Sequence, residues 1–175
     1  GELIEKNIEK AIYYFQLAAN NNVVEAFVNL GLIYEREVSN KHDINKAIQY
    51  YLTAAKFNNS DALFELGYIY ITGYYVRYDF IKAISYFTRA ADLKHKRAMF
   101  FMGIQYLDGS LVQQNLVKAS YYLPQSGNDE NKHSYFALGY LYHVGVVFKQ
   151  DIKKLLIIIK KLLLLIIIML KIILE

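Results

Sequence analysis

The chain has 175 residues, 55% of them hydrophobic and 21% charged, and this balance indicates a folded rather than a disordered protein. The absence of cysteine excludes disulfide bonds and cysteine metal sites. The formal net charge is +4, and residues 151–175 account for +3 of it, with five Lys against Asp151 and Glu175. The remainder is near neutral at +1, so we predict no nucleic-acid partner.

A skeleton with a period of 36 residues runs along the chain. A fixed period of this length is typical of stacked helix pairs. The sequence therefore predicts an all-α fold, a right-handed α-solenoid of antiparallel helix pairs. The positions that recur are Ala26, Ala62 and Ala98; Leu30, Leu66 and Leu138; Gly31, Gly67, Gly103 and Gly139; Tyr34, Tyr70, Tyr106 and Tyr142; Asp43, Asp79, Asn115 and Asp151; and Lys46, Lys82, Lys118 and Lys154.

In chain order, the period divides the sequence into six segments. Gly1 and Ile4 match the loop pattern of Gly73 and Val76, so we expect the chain to begin inside a repeat of a longer parent array and to contact its neighbouring repeats. The segments are 1–22, the second helix of a truncated repeat; 23–59, 60–95 and 96–130, three repeats; 131–154, the start of a final repeat; and 155–175, an aberrant helix rich in Leu, Ile and Lys.

Each full repeat is predicted to hold two helices. A loop glycine such as Gly73 ends the first helix, because glycine readily adopts the left-handed backbone that a helix end needs. An acidic or amide residue such as Asp43 or Asp79 is expected to be the N-cap of the second helix. Pro124 predicts a kink or a helix end near Leu123, because proline removes a backbone donor. The predicted helices are 5–20, 24–36, 43–57, 60–72, 79–93, 96–108, 115–124 and 131–144.

The skeleton Ala-x3-Leu-Gly-x2-Tyr-x2-Gly-x2-Val-x2-Asp-x2-Lys-Ala-x2-Tyr-x3-Ala-Ala resembles the Sel-1-like repeat, a relative of the tetratricopeptide repeat. The resemblance extends from residue 1 to about residue 154. It implies an adaptor that binds other proteins, of the kind found in signalling, endoplasmic-reticulum protein degradation and the regulation of cell-wall synthesis. One bacterial branch of this family is cysteine-rich and has hydrolase-like activity toward β-lactams. This chain departs from that branch because it has no cysteine.

The sequence shows no arrangement typical of catalysis. His42, His95, His133 and His143 are scattered without a metal-ligand spacing, and they are interpreted as surface or groove residues. The repeated aspartates are interpreted as helix caps rather than catalytic acids. We therefore predict that the protein is not an enzyme and that it requires neither a metal nor another cofactor.

A partner-binding groove is predicted on the first helix of each repeat. The residues between the skeleton positions are not needed there for packing within the repeat. Their apolar middle and polar edges suit an extended peptide or a helix of a partner protein. The alternative is that Phe64, Phe100 and Phe136 pack against neighbouring repeats. The groove residues are Glu25, Val28, Leu32, Glu35 and Arg36; Asp61, Phe64, Tyr68, Ile71 and Thr72; Arg97, Phe100, Ile104, Leu107 and Asp108; and His133, Phe136, Tyr140 and His143.

The tail at 155–175 has three interpretations. It is an amphipathic helix that closes the array or contacts a partner, a helix that lies on or spans a membrane, or a run that is not native sequence. Lys160 and Lys161 interrupt its apolar character, which disfavours spanning. The main hypothesis is a cytoplasmic adaptor, and the alternative is an adaptor anchored by the tail to a membrane, for example that of the endoplasmic reticulum.

Overall fold

The computed structural model describes residues 7–36, 41–126 and 132–143, together with Lys160, Leu163 and Ile167. These described residues form helices joined by short loops, which confirms the predicted all-α class. The interpretation of the tail at 155–175 lies outside the described residues except at the three isolated positions, which are helical. The helices within the described ranges are α1 Ile8–Asn20, α2 Val24–Arg36, α3 Lys41–Lys56, α4 Ser60–Thr72, α5 Phe80–Asp92, α6 Lys96–Asp108, α7 Leu116–Ser126 and α8 Lys132–His143.

The chain divides into two compact units, Gly1–Leu93 and Lys94–Glu175. In the first unit, α1 packs on α2, and the hairpins α2/α3 and α4/α5 pack on each other through α3 and α4. In the second unit, α6 and α7 form a hairpin, and α8 packs mainly on α7. Each hairpin lies within the bounds predicted for one repeat, and those bounds remain a prediction.

Inside each hairpin, a skeleton glycine lets the two helices approach closely. A Cβ added at Gly67 would lie 2.8 Å from Cδ1 of Phe87, and one added at Gly103 would lie 2.7 Å from Cγ of Leu123. Gly31 faces the buried ring of Tyr51 in the same way. Any side chain at these positions would push the second helix away, so the glycine fixes the close packing of the pair.

Each hairpin also contains a stacked tyrosine pair with a lysine over one of the rings. Tyr70 on α4 stacks on Tyr86 on α5 with ring centroids 5.9 Å apart, and Nζ of Lys82 lies 5.1 Å from the Tyr70 centroid. This explains why Lys recurs in the skeleton, since an ammonium group is attracted to the face of an aromatic ring. The equivalent sets are Tyr34, Tyr50 and Lys46 in α2/α3, and Tyr106, Tyr122 and Lys118 in α6/α7.

In the three full repeats, the predicted caps are confirmed at two of the second helices, α5 and α7. Asp79 caps α5 by accepting from the backbone N–H of Lys82 at 3.0 Å, and this bond lowers the pKa of the Asp79 carboxyl. Asn115 accepts from the backbone N–H of Lys118 at 2.9 Å. The prediction for Asp43 was wrong, because α3 begins two residues earlier, at Lys41, and places Asp43 in the first turn, where it is buried.

Of the two outcomes predicted near Leu123, a kink or a helix end, the helix end is wrong. Helix α7 continues through Pro124 to Ser126. Pro124 falls in the last turn of the helix and its side chain is exposed, so its missing N–H affects only one hydrogen bond near an end that already has free carbonyl groups. The Ser126 hydroxyl donates to the Leu123 carbonyl at 2.8 Å, which satisfies one of those groups.

Candidate partner-binding surface

In the first unit, the predicted groove residues separate into a buried and an exposed set. Val28 and Phe64 are buried, and the Phe64 ring packs 5.5 Å from that of Phe87. These two side chains belong to the core and do not reach the surface. The half-buried members are Leu32, Glu35 and Ile71, and the exposed members are Glu25, Arg36, Asp61, Tyr68 and Thr72.

In the second unit, the apolar groove residues of α6 are partly buried, whereas the aromatic groove residues described on α8 are exposed. Phe100 and Ile104 on α6 pack against the core cluster that contains Leu123 and Leu141. On α8, the Phe136 side chain is 72% exposed, although it repeats the position of Phe64 and Phe100. Leu107 is half-buried, while Arg97, Asp108, Tyr140 and His143 are exposed; the side chain of His133 lies outside the described residues.

In the first unit, three of the groove residues that are not buried line a concave pocket of about 290 Å³. It is formed by the end of α2, the last two turns of α4 and the loop that follows α4. Tyr68 and Thr72 come from one face of α4, and the Thr72 hydroxyl donates to the Tyr68 carbonyl at 3.0 Å. The residues that line the pocket are Glu35, Tyr68, Ile69, Thr72, Tyr74 and Tyr75.

The loop after α4 is held in place at both ends. Gly73 adopts a φ of 62°, a left-handed conformation that a residue with a side chain rarely adopts. At the far end, the backbone N–H of Asp79 donates to the Tyr70 carbonyl at 3.1 Å. Between these two points, the rings of Tyr74 and Tyr75 lie perpendicular to each other with centroids 4.7 Å apart. The loop thus presents two aromatic rings beside Tyr68.

The carboxylate of Glu35 brings a negative charge to the pocket. The Tyr51 hydroxyl donates to Oε2 of Glu35 at 2.7 Å, which orients this carboxylate from inside the unit. Burial raises the pKa of Tyr51, and the hydrogen bond to Glu35 raises it further, so its hydroxyl remains a donor. The neighbouring Arg36 directs its guanidinium to Glu65 on α4, with Nη2 3.5 Å from Oε1. The pocket therefore combines aromatic faces with a fixed carboxylate.

Helical spacing predicts Tyr68, Glu35 and Thr72 on the binding face, but it does not predict Tyr74 and Tyr75. These two residues follow the loop glycine directly, and the equivalent loop after Gly109 has Ser110 and Leu111. Two adjacent tyrosines in a connecting loop, where no core needs them, were the available signal.

Residues 7–36, 41–126 and 132–143 include no group of three or more His, Asp or Glu side chains arranged to hold a metal ion. Among the helices of these ranges, none is both long enough and apolar enough to cross a bilayer.

Comparison with known proteins relates this architecture to one family of repeats. The family model described as Sel1 repeat matches residues 1–23, 25–56, 60–95, 96–125 and 132–154, which is most of the chain. No curated protein sequence matches significantly.

Solved structures of helical-repeat proteins are similar to this chain. A Sel1 repeat protein from Oxalobacter formigenes is 29% identical, with a TM-score of 0.71, over 91% of this chain and 65% of its own. The protective antigen c5321 of uropathogenic Escherichia coli, which displays an SLR fold, is 25% identical, with a TM-score of 0.75, over 93% and 35%. Cysteine rich protein B of Helicobacter pylori is 25% identical, with a TM-score of 0.54, over 72% and 90%. The chain thus spans about two thirds of the first protein and one third of the second.

Proposed function

Because the chain belongs to the Sel1 repeat family, whose proteins are generally protein-interaction scaffolds, we propose that it is a non-catalytic scaffold that binds a segment of a partner protein. The binding surface that we propose is the exposed face of α4 together with the loop after it. In the first unit, this face is continued by Arg36 at the end of α2.

The observation that carries the proposal is the exposure of aromatic side chains that the helix packing does not use. Tyr68 is 48% exposed, although its neighbours Gly67 and Ile69 on α4 are fully packed. Tyr74 and Tyr75 are also exposed, at 81% and 46%. Exposed tyrosines around a concavity are typical of the residues that contribute most binding energy in protein interfaces.

The buried members of the predicted groove support this surface from below. Phe64 lies one helical turn before Tyr68 and is locked against Phe87, so α4 is held rigidly while its outer side remains open. A rigid element that presents exposed aromatic groups loses little conformational entropy when a partner binds. The second unit presents exposed aromatic residues of its own on α8, at Phe136 and Tyr140.

A displayed library of random peptides, selected against the full chain, tests the proposal. The Tyr68→Ser variant should bind the selected peptides at least about tenfold more weakly, because truncation of a central aromatic contact commonly has this effect. The control is Tyr13→Ser on α1, which removes a tyrosine of similar exposure from a different helix and should leave affinity within about twofold. Peptides that bind both variants equally well would contradict the proposed surface.

A further inference from the structure

We propose that the pocket formed by Tyr68, Tyr74, Tyr75 and Glu35 binds the cationic head of a Lys or Arg side chain from the partner. This inference rests on the proposed function, and it specifies the chemistry that the scaffold recognises.

The first support is the combination of groups that line the pocket. The faces of tyrosine rings carry negative potential and attract ammonium and guanidinium groups. Tyr74 and Tyr75 provide two perpendicular rings, and Tyr68 adds a third from α4. The volume of about 290 Å³ is at the lower limit of ordinary ligand sites, which suits one long side chain rather than a larger molecule.

The second support is the charge of the pocket. Among the described residues that line it, Glu35 is the single carboxylate, and none is Lys or Arg. The nearest basic group in sequence, Arg36, forms an ion pair with Glu65. A carboxylate beside aromatic faces favours a cation over an anion or an uncharged apolar side chain.

The third support is that the fold does not require these tyrosines. The hairpin α6/α7 has the same connecting loop: Gly109 adopts a φ of 76°, and the backbone N–H of Asn115 donates to the Tyr106 carbonyl at 2.8 Å. The positions equivalent to Tyr68, Tyr74 and Tyr75 are nevertheless occupied by Ile104, Ser110 and Leu111. A loop of the same design therefore forms without tyrosine, so its backbone geometry does not require the three rings.

The direct test is an NMR titration of the full chain with N-acetylarginine methylamide, compared with the uncharged isostere N-acetylcitrulline methylamide. The arginine compound should shift the tyrosine ring signals in a saturable way and bind at least about fivefold more tightly than the citrulline compound. Equal affinity for the two compounds, or no saturable shift, would overturn the proposal.

Variants locate the site within the same titration. Glu35→Gln keeps an oxygen that accepts from the Tyr51 hydroxyl but removes the charge, and it should weaken arginine binding by about five- to tenfold. The control is Glu25→Gln, which removes an exposed carboxylate at the other end of α2. The double variant Tyr74→Ser/Tyr75→Leu copies the residues of the other loop and should abolish binding. Unchanged affinity in both pocket variants would overturn the proposal.

The peptide library separates this inference from the proposed function. If both are right, the selected peptides contain a Lys or Arg whose replacement by Gln reduces binding, and Glu35→Gln reduces their binding as well. Peptides whose binding depends on Tyr68 but on no basic residue would overturn the inference. They would still support the proposed scaffold function. Arginine binding without any peptide that depends on Tyr68 would retain the pocket and contradict the scaffold.

Discussion

The hairpins α4/α5 and α6/α7 have the same internal contacts and different surfaces. In both, a glycine packs on a large side chain of the second helix, and a stacked tyrosine pair lies under a lysine. Outside these contacts, α4/α5 presents Tyr68 and two loop tyrosines, whereas α6/α7 has Ile104, Ser110 and Leu111. The comparison shows that equivalent internal contacts form beneath different exposed side chains.

The largest effect on stability is expected at the skeleton glycines, which both hairpins have. Gly67→Ala and Gly103→Ala should each reduce the free energy of unfolding by about 1–3 kcal/mol, because the added methyl group overlaps Phe87 or Leu123. Chemical denaturation measures this cost. The control is Ser85→Ala on the exposed face of α5, which should change stability by less than about 0.5 kcal/mol. A tolerated Gly67→Ala would show that the helices are not held at the close distance described.

A smaller effect is expected at the N-caps of the first helices, where the two hairpins differ chemically. Asn59 caps α4 through its amide oxygen, which accepts from the Ala62 N–H at 2.9 Å. His95 caps α6 through Nδ1, which accepts from the Ala98 N–H at 3.2 Å. A protonated imidazole has no acceptor nitrogen, so acid should remove the cap of α6 and preserve that of α4.

The test compares the wild type with His95→Asn, which gives α6 the cap of α4. Between about pH 7.5 and about pH 5, the wild type should lose about 1 kcal/mol more stability than the variant, the usual contribution of an N-cap. Denaturant unfolding at each pH measures the difference. Identical pH profiles would show that the His95 ring does not contribute as a cap.

The smallest effect is expected at the lysines above the tyrosine pairs. Lys82→Met and Lys118→Met should each lower the free energy of unfolding by about 0.5–1 kcal/mol through the lost contact with the ring face. Lys82 also pairs with Asp79 at 3.4 Å, while Lys118 has the uncharged Asn115 at that position. The effect at Lys82 should therefore decline more steeply with added salt, which thermal unfolding over a salt series measures. Parallel salt dependence would remove this distinction between the hairpins.

The sequence predicted the first helices best. The ranges 24–36, 60–72 and 96–108 match the observed α2, α4 and α6. For α4 and α6, a capping side chain at the start and a left-handed glycine at the end explain the agreement. The bounds of the second helices were predicted less accurately, because α3 extends before Asp43 and α7 continues past Pro124. In both cases, the local signal was weaker than the packing of the whole helix on its partner.

The binding surface was predictable only in part. Helical spacing placed Phe64 and Tyr68 on one side of α4, but it did not show that Phe87 covers the first and leaves the second open. The loop tyrosines were not predicted, because their position depends on the turn at Gly73 and on the hydrogen bond from Asp79 to Tyr70. Such contacts join residues far apart in the pattern and are visible only in three dimensions.

The contact between Gly67 and Phe87 has a consequence for how the protein folds. The two residues lie within a single repeat, as do Tyr70, Lys82 and Tyr86, so a hairpin contains the contacts that define it. Folds dominated by such local contacts form quickly, since little loop-closure entropy is lost before the contacts form. Each hairpin can therefore close on contacts of its own, and in the first unit the packing of α3 on α4 then adds the stability that neighbouring repeats provide.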